Sequence, residues 1–479
     1  MKVIRKRLMG ILFCSVFVLG SIWGVPSVTA QAAQEWPAGP KIDTPNAIVM
    51  EVSTGTVLYE KNADEVRYPA SITKIMTTLL ALENASLNEV VTFSQDAVYK
   101  NEGDTSHISR DIGEEMTLEE CLYAVMLESA NECAYAVAEH VGEGDYQKFI
   151  DMMNERAQSL GCTNTHFSNS NGLPDETHVT TCRDMALISR AAIQNSAFRK
   201  IVGTVRYEIP PTNKHKDITP LNNHHQMISV YKGAGNLYEP CIGGKTGYTV
   251  AAGNTLVTFA EKDGMTLVCV VMNCGSGGIH YKDTRKLFEY CFDTFRMVNV
   301  AENENRYPTG ETRDDTLFSS GEAFAALDSS ARIVLPKEAD FTDTSVELSY
   351  DRVTEKIVGT LVYQYEDKQV GMADVVTTGV KAQAFKFGSF VGAESGTGEK
   401  NAESAGAAVS ETQTESASGE QSMEKIITIA IVAGLAVAAL LIIRFLYNNI
   451  HRIFRGRTGR DRRYKTIKNN RKWNRRGGR

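Results

Sequence analysis

Three short groups of polar residues could together carry nucleophilic chemistry. The first is Ser71 and Lys74, within Tyr68-Pro69-Ala70-Ser71-Ile72-Thr73-Lys74, which opens an apolar helical stretch. Residues three positions apart share a face of a helix, so the lysine amine can lie beside the serine hydroxyl. A serine hydroxyl needs a base to become a nucleophile, and a lysine amine is a base only when neutral. Burial, the positive end of the helix and a second cation would each lower the pKa of Lys74.

The second and third groups supply polar side chains and backbone that could hold a substrate. Ser129-Ala130-Asn131 lies in a helical stretch around 117–140, where it indicates either a helix break that lines a cleft or a helix-end cap. Gly243-Gly244-Lys245-Thr246-Gly247-Tyr248-Thr249 precedes a predicted strand. A cation and hydroxyls at a strand edge can bind a carboxylate, and the glycines let a substrate backbone approach closely. The segment lacks the pattern of a phosphate-binding loop.

The stretch from 45 to 295 predicts one antiparallel sheet with helices between its strands. Two strands flank Ser53-Thr54-Gly55, a hairpin signal, and two more flank Lys262-Asp263-Gly264. Helical patterns occur around 71–84, 117–140, 145–160, 182–195 and 280–295. Because strands lie at both ends and helices between them, we expect the terminal strands to close the sheet.

The following region changes character. Short strand patterns at 331–335, 345–350 and 357–365 predict a small all-β domain. Residues 387 to 424 are mostly Gly, Ser, Ala, Glu and Thr, with too little apolar surface to fold, and predict a disordered linker.

Both ends of the chain predict export and membrane anchoring. Basic residues before an apolar run, then Ala30-Gln31-Ala32, are typical of a cleaved signal peptide, with an uncleaved anchor as the alternative. Ile426 to Ile443 is uncharged and long enough to span a bilayer. The residues from Arg444 onward hold 14 Lys or Arg and one acid, so we expect the tail in the cytoplasm and the catalytic part outside.

Charge and cysteine content exclude some functions. The chain has a net charge of −7 although its tail is strongly basic, so the exported part is acidic and is not expected to bind nucleic acid. Eight cysteines follow the signal peptide, and none has the spacing of a metal site. Several lie in apolar runs, so we expect mostly buried thiols, with one or two disulfides as the alternative.

The order Ser-x-x-Lys, Ser-x-Asn, Lys-Thr-Gly, with spacings of about 58 and 116 residues, resembles that of penicillin-binding proteins and serine β-lactamases. The chain most resembles the low-molecular-mass D-alanyl-D-alanine carboxypeptidases, over residues 40 to 385. Asn171-Gly172-Leu173, Arg183-Asp184-Met185-Ala186 and Ala252-Gly253 add to the resemblance.

The resemblance implies an α+β fold, a penicillin-binding/β-lactamase-like domain followed by a small β domain, and a role for each motif residue. Ser71 would be acylated by peptidoglycan stem peptides or by β-lactams, Lys74 would accept its proton, and Ser129 would protonate the leaving amine. The substrate would be bound by Asn131, Lys245, Thr246, Gly247, Tyr248 and Thr249. The backbone N–H groups of Ser71 and Tyr248 would form the oxyanion hole. No metal or cofactor is implied.

The chain departs from the family in two places. Some relatives carry an arginine in the Leu-Asn-x stretch as a carboxylate ligand, whereas Leu221-Asn222 is followed here by Asn223, His224 and His225. We interpret the two histidines as exposed loop residues, with a substitute ligand as the alternative. Many relatives lie on the membrane through an amphipathic helix, whereas this chain has a predicted spanning segment.

We therefore expect the following organisation: a signal peptide over 1–32, a catalytic domain over 33–295, a β domain over 296–386, a disordered linker over 387–424, a transmembrane helix over 425–446 and a basic cytoplasmic tail over 447–479. The alternatives to carboxypeptidase activity are a peptidoglycan endopeptidase, a β-lactamase and a non-enzymatic module that senses penicillin or binds the cell wall.

Overall fold

The computed structural model describes residues 35–100, 105–275, 278–306 and 325–377. They all belong to the first of two compact units, which ends at Phe385. The predicted signal peptide, linker, membrane helix and cytoplasmic tail lie outside the described residues. In the described ranges, none of the helices is both long enough and apolar enough to cross a membrane.

Helices and strands are numbered along the chain. The first part contains β1 (Asn46–Glu51), β2 (Val57–Lys61), α1 (Lys74–Asn84), β3 (Val90–Thr92), α2 (Gln95–Tyr99), β4 (Glu115–Thr117), α3 (Leu118–Tyr123), α4 (Asn131–Val141), α5 (Tyr146–Ser159), α6 (Cys182–Ile193), α7 (Ser196–Gly203), β5 (Arg206–Ile209), β6 (Thr219–Asn222), β7 (Cys241–Thr249), β8 (Gly253–Lys262), β9 (Met265–Cys274) and α8 (Ile279–Thr294). The second part contains β10 (Phe295–Asn299), α9 (Val300–Asn303), β11 (Ala325–Leu327), β12 (Arg332–Pro336), β13 (Ser345–Ser349), β14 (Ile357–Tyr365) and β15 (Lys368–Thr377).

The central sheet has the strand order β2-β1-β9-β8-β7, and all its neighbours are antiparallel. β1 pairs with β9 from Asn46 opposite Met272 to Glu51 opposite Leu267, so strands from the two ends of this part meet. The prediction that the terminal strands close the sheet is therefore confirmed. β7 lies at one edge, and its outer side is not paired with another strand of this sheet.

Both faces of the sheet are buried, which explains why β1 and β9 are apolar at nearly every position. Along β1, Ile48 and Met50 belong to the core that the sheet shares with α1, α4 and α6. The alternate residues Ala47 and Val49 belong to a second core, shared with α8 on the other face. The sheet is thereby sandwiched between helical layers, in accordance with the predicted α+β class.

The second antiparallel sheet has the order β10-β12-β15-β14-β13, and β11 also pairs with β15. It has a core of its own that includes Ile333, Leu361 and Tyr363. Val334 instead joins the core beneath α8, so this sheet packs on the first part. The predicted β domain is thus present as a second sheet, and β10 begins at the residue after α8.

Several elements were not predicted from the sequence. In the first part they are the short helices α2 and α7, the two-stranded pairs β3–β4 and β5–β6, and the strand β7. In the second part they are the short helix α9 and the strands β10, β11 and β15. The predicted alternative of one or two disulfides is wrong for the described residues, because all eight cysteines there are buried and unpaired. Burial raises the pKa of thiols such as Cys121 and Cys291, which keeps them protonated.

Candidate active site

Ser71 lies in a 3-10 turn over Ala70–Thr73, directly before α1. The helical pattern around 71–84 predicts an α-helix that includes Ser71, and this boundary is wrong because α1 begins at Lys74. Ala70 adopts a left-handed conformation with φ of 52°, which an α-helix does not allow, so the chain enters α1 through a tighter turn. The spacing still brings the pair together, because Lys74 Nζ is 3.1 Å from Ser71 Oγ.

The Lys74 side chain is completely buried, and it contacts two further oxygen atoms. Its Nζ donates to Asn131 Oδ1 at 2.7 Å and to the carbonyl oxygen of Asn171 at 2.6 Å. Both atoms are acceptors only, so they take two N–H groups of the amine. In the neutral amine the remaining lone pair is available to the hydroxyl of Ser71, which is the arrangement that a general base requires.

The electrostatic surroundings favour the neutral form of Lys74. Burial lowers its pKa well below the usual value, the charge of Lys245 lowers it further, and Glu132 opposes both. Lys245 is buried as well, and burial lowers its pKa to about 7 against the opposing charge of Glu128. Two buried amines therefore share one low-dielectric region, and each makes the charged form of the other more costly.

Ser129 follows a π turn over Ala124–Glu128 and has a left-handed backbone with φ of 63°. This turn separates α3 from α4, so the predicted break in the helix is confirmed. The Ser129 hydroxyl is buried and has no hydrogen-bond partner among the described residues. An unsatisfied hydroxyl and a strained backbone at one position are typical of functional sites. Asn131 begins α4 and points its amide at Lys74.

β7 brings its Lys-Thr-Gly segment against the turn that carries Ser71. A methyl group at Gly247 would lie 2.9 Å from the backbone nitrogen of Ser71 and 2.4 Å from Thr255 Oγ1. Only glycine therefore permits this approach of strand and turn. Thr255 on β8 donates to the carbonyl oxygen of Pro69 at 2.9 Å, which fixes the turn to the sheet.

A second support of the turn is a buried histidine that the sequence did not single out as functional. The Ser168 N–H donates to His178 Nδ1 at 3.0 Å, so the proton of the neutral ring resides on Nε2. That nitrogen is 2.8 Å from Thr73 Oγ1, which donates to the carbonyl oxygen of Ala70. Burial lowers the pKa of His178 to about 4, so the ring is neutral at neutral pH.

The loop before His178 also contacts the turn. Asn171 supplies its carbonyl oxygen to Lys74, and a methyl group at Gly172 would lie 1.9 Å from the carbonyl oxygen of Ala70. Both residues belong to the Asn-Gly-Leu segment that contributed to the family resemblance. That segment was the available signal for these contacts, whereas a lone His178 offered none.

These elements surround a cleft of about 660 Å³. Seven of the nine predicted site residues line it, namely Ser71, Ser129, Asn131, Thr246, Gly247, Tyr248 and Thr249. The other two, Lys74 and Lys245, are buried, and Lys245 donates to the carbonyl oxygen of Thr246 at 2.8 Å. The structure thus brings the three motifs, which are far apart in the sequence, around one cavity.

The interpretation of His224 and His225 as exposed loop residues is wrong. His224 lines the cleft and lies 2.7 Å from Glu128, the residue before Ser129. His225 is buried, with Nε2 3.0 Å from Thr258 Oγ1, and burial lowers its pKa to about 3. β6 contacts the π turn, and Tyr207 of β5 stacks on Tyr123 of α3. Sequence patterns do not reveal these tertiary contacts.

One group of potential metal ligands lies elsewhere in the described part of the chain. Ligand atoms of Asp111, Glu114 and His215 lie within 4.8 Å of one another. The Glu114 carboxylate is already occupied by the guanidinium of Arg110 and by Thr212 and His215. This group is a polar network around the buried Glu114 carboxylate, and none of its three members lines the cleft.

Comparison with known proteins identifies the family to which this site belongs. Residues 30–276 match the peptidase S11 family, described as D-alanyl-D-alanine carboxypeptidase. The chain belongs to this family. The match covers more than half of the chain and spans all three motifs. The predicted activity, serine-type D-alanyl-D-alanine carboxypeptidase, is therefore confirmed over the β-lactamase and sensing-module alternatives.

Individual relatives cover different shares of the chain. The D-alanyl-D-alanine carboxypeptidase DacF of Bacillus subtilis is 28% identical over 384 residues, which are 77% of this chain and 93% of the relative. A D-alanyl-D-alanine carboxypeptidase of Streptomyces sp. strain K15 is 33% identical over 266 residues, covering 53% of this chain and 88% of the relative. The crystal structure of the Streptomyces K15 DD-transpeptidase is 31% identical, with a TM-score of 0.49, over 54% of this chain and all of that structure.

The close approach of β7 to the nucleophile predicts the effect of Gly247→Ala. The added methyl group must displace Ser71 or Thr255, and a shift of about 1 Å typically lowers reactivity about 100-fold. We expect the second-order rate of acylation by benzylpenicillin to fall by about that factor. Gly235→Ala is the control, because its methyl group would meet no atom within 4 Å, and it should react at the wild-type rate. Equal rates in both variants would show that the contact at Gly247 is not needed.

The proximity of two buried amines predicts the pH dependence of acylation. Protonation of Lys74 stops catalysis as the pH falls, and Lys245 keeps the pKa of Lys74 low. Lys245→Gln removes the repelling charge, so the acidic limb should move to higher pH, whereas Lys245→Arg should preserve it. The pKa of Lys245 near 7 also predicts an alkaline limb near neutral pH, which Lys245→Arg should abolish because arginine stays protonated.

The measurement is the second-order acylation rate with one β-lactam across the pH range, for wild type and both variants. Circular dichroism at each pH ensures that only folded protein is compared. If the acidic limb stays in place in Lys245→Gln, Lys245 does not tune the base.

Proposed function

We propose that the chain removes the terminal D-alanine from peptidoglycan pentapeptides through an acyl-enzyme on Ser71, and that β-lactams acylate the same serine. The observation that carries the proposal is the buried Lys74 amine 3.1 Å from Ser71 Oγ. A desolvated amine beside a serine hydroxyl, at the floor of an open cleft, suits acyl transfer. Family membership names the substrate class.

In the first step, Ser71 Oγ attacks the carbonyl carbon of the penultimate D-alanine. The hydroxyl proton passes to the lone pair of Lys74 Nζ, and the carbonyl oxygen gains the negative charge. The backbone N–H groups of Ser71 and Tyr248 stabilise that charge, a contribution of about 3–4 kcal/mol for each donor. The position of the Ser71 nitrogen beside Gly247 supports this assignment.

In the second step, the peptide C–N bond breaks and the leaving amine takes a proton. We assign Ser129 as the relay: its hydroxyl gives its proton to the leaving amine and receives the proton that Lys74 took from Ser71, so that Lys74 is neutral again. The Ser129 hydroxyl suits this transfer because it is buried, lines the cleft and is unsatisfied among the described residues. The terminal D-alanine leaves, and an ester remains on Ser71. Water then attacks the ester and gives a proton to Lys74. The bond between the acyl carbon and Ser71 Oγ breaks, Lys74 returns the proton to that oxygen, and the shortened peptide departs.

The substrate is held by the remaining residues of the motifs. Lys245 and Thr246 bind the terminal carboxylate, Lys245 by its charge and Thr246 by its hydroxyl in the cleft. Asn131 binds the amide of the substrate, and the backbone of Gly247 to Thr249 lies along the peptide. His224 also lines the cleft, 2.7 Å from Glu128.

We also propose that the catalytic part acts outside the cytoplasmic membrane. The support is the sequence: a signal-like N terminus, an uncharged stretch over Ile426 to Ile443 and a basic tail after it. A substrate in the cell wall requires the catalytic part on that side. The linker over 387–424 would then separate the enzyme from its anchor.

Ser71→Ala tests the assignment of the nucleophile. Without the hydroxyl no ester can form, so the variant should not be labelled by fluorescent penicillin and should release no D-alanine from a pentapeptide. Ser196→Ala, at an exposed position of α7, is the matched control and should behave as wild type. Stoichiometric labelling of a folded Ser71→Ala protein would refute the assignment.

Protease protection tests the topology. In cells stripped of their wall, protease added outside should digest the catalytic part and leave an epitope on the tail after residue 447 intact, because the bilayer shields it. Detergent should expose the tail and serves as the control. A tail that is digested in intact cells would contradict the proposed orientation.

A further inference from the structure

The peptide unit between Ala70 and Ser71 has a functional group on one side and its support on the other. In the proposed function, on which this inference rests, the N–H of Ser71 is one of the two donors of the oxyanion hole. A trans peptide unit is planar, so its carbonyl oxygen and its N–H point in opposite directions. Whatever fixes the Ala70 carbonyl oxygen therefore also sets the direction of the Ser71 N–H.

The backbone around this peptide unit agrees with that orientation. At Gly172 an added methyl group would lie 1.9 Å from the Ala70 carbonyl oxygen and 3.0 Å from the Ser71 nitrogen. At Gly247, on β7, it would lie 2.9 Å from the Ser71 nitrogen, and the carbonyl oxygen is farther away. The N–H thus lies on the side of β7, which lines the cleft, and the oxygen lies on the side of the 171–172 loop.

The Ala70 carbonyl oxygen is the end of a chain of three hydrogen bonds. The Thr73 hydroxyl donates to it at 2.9 Å, and His178 Nε2 lies 2.8 Å from Thr73 Oγ1. The backbone N–H of Ser168 donates to the other ring nitrogen, His178 Nδ1, at 3.0 Å. Thr73 and His178 are both buried, so these bonds form in a low-dielectric interior, where they are stronger than in water.

The protons of this chain are fixed from both ends. A carbonyl oxygen only accepts, so the single proton of the Thr73 hydroxyl points at Ala70, and the Thr73 oxygen must accept from His178 Nε2. A backbone N–H only donates, so Nδ1 accepts from Ser168 and carries no proton. Both requirements select the neutral ring with its proton on Nε2. Burial lowers the pKa of His178 to about 4, so the ring is neutral at neutral pH.

All donors of the chain point the same way, towards the carbonyl oxygen of Ala70. Hydrogen bonds in such a chain polarise one another, and a carbonyl that accepts a bond makes the N–H of its own peptide unit a stronger donor. The left-handed conformation of Ala70 is held only by its surroundings, so a lost hydrogen bond here permits the peptide unit to rotate. An oxyanion donor must lie within about 2.7–3.1 Å of the developing charge, so a small rotation weakens it.

We propose that His178 is a positioning residue of the oxyanion hole: through the Thr73 hydroxyl and the Ala70 carbonyl, it directs the Ser71 N–H at the carbonyl oxygen of the substrate. His178 is not among the residues that line the catalytic cleft, so it reaches the reaction only through Thr73. The oxyanion exists in the transition state and not in the bound substrate. Loss of the chain should therefore lower kcat and leave KM unchanged.

Two variants break the chain at different links. His178→Phe keeps a ring and removes both nitrogens, and Thr73→Val replaces the hydroxyl with a methyl group. The assay uses the full chain in detergent, with Nα,Nε-diacetyl-L-lysyl-D-alanyl-D-alanine as substrate. Each variant should lower kcat about tenfold, a part of the factor of about 100 to 1000 that a lost oxyanion donor costs. The hole acts in both formation and hydrolysis of the acyl-enzyme, so kcat falls whichever step is slower.

Conservative variants and a matched control separate this role from simple packing. Thr73→Ser keeps the hydroxyl, and His178→Gln supplies a side-chain N–H, so both should retain most of the wild-type kcat. Thr78→Val is the control, because Thr78 is buried on α1 and its hydroxyl has no hydrogen-bond partner in the described part of the chain. The control makes the same chemical change as Thr73→Val and should have the wild-type kcat.

The double variant His178→Phe, Thr73→Val tests whether both residues act through one chain. Independent effects multiply, so two separate tenfold losses would give about a hundredfold loss. Two links of one chain should give about the tenfold loss of either single variant, because the first break already removes the support of Ala70. The unfolding temperature of each variant ensures that folded protein is compared.

A boronic acid analogue of the substrate, with boron in place of the scissile carbonyl carbon, reports on the oxyanion hole directly. Ser71 Oγ binds the boron and gives its proton to Lys74, and the tetrahedral adduct places an oxygen beside the N–H donors of the hole. The inhibition constant should rise in His178→Phe and in Thr73→Val by the same factor by which kcat/KM falls. In Thr78→Val it should keep the wild-type value.

The outcomes separate this inference from the proposed function. A wild-type chain that releases no D-alanine refutes the proposed function itself. If wild type is active, a loss that appears in KM alone, an unchanged inhibition constant or about a hundredfold loss in the double variant overturns the role of His178 and leaves the carboxypeptidase mechanism intact. If His178→Phe does not fold, Thr73→Val and Thr73→Ser decide the question, and equal kcat values in these two overturn the inference.

Discussion

A lysine amine that has to remain neutral inside the protein is the constraint on which the active site depends. Lys74 has no exposed surface, and a charge there would lose the hydration that water provides. Its neutral form is satisfied instead by two fixed acceptors, Asn131 Oδ1 and the Asn171 carbonyl oxygen. The two acceptors come from different segments, so Lys74, the proposed base, is positioned only when α1, α4 and the 171–172 loop have packed together.

The proposed nucleophile, Ser71, imposes the second requirement, a backbone that presents its side chain to the cleft. A left-handed Ala70 is costly for a residue with a side chain, and such a conformation persists only when its surroundings hold it. The turn is held by hydrogen bonds from the hydroxyls of Thr73 and Thr255. The backbone also approaches it closely at Gly172 and Gly247, where no side chain intervenes. The surrounding packed structure thus holds Ala70 in its strained conformation, directly before Ser71.

The charged groups around the cleft affect one another's pKa. Lys245 and Lys74 share a buried region, where burial lowers the pKa of Lys74 and the charge of Lys245 lowers it further. Burial raises the pKa of Glu128, but hydrogen bonds from His224 and from the Asn222 N–H more than offset this, and its pKa lies below the usual value. This carboxylate is the opposing charge for Lys245, so the loop after β6 contributes to the electrostatics of the site although the motifs do not include it.

The sequence by itself determined the class of chemistry, the identity of the motif residues and most of the sheet, because these depend on residue type, spacing and local periodicity. The hairpins around Gly55 and Gly264 and the break at Ser129 follow from short-range preferences of the backbone. Only the tertiary structure decided the roles of His178, His224 and Glu128, since their partners are distant in the chain.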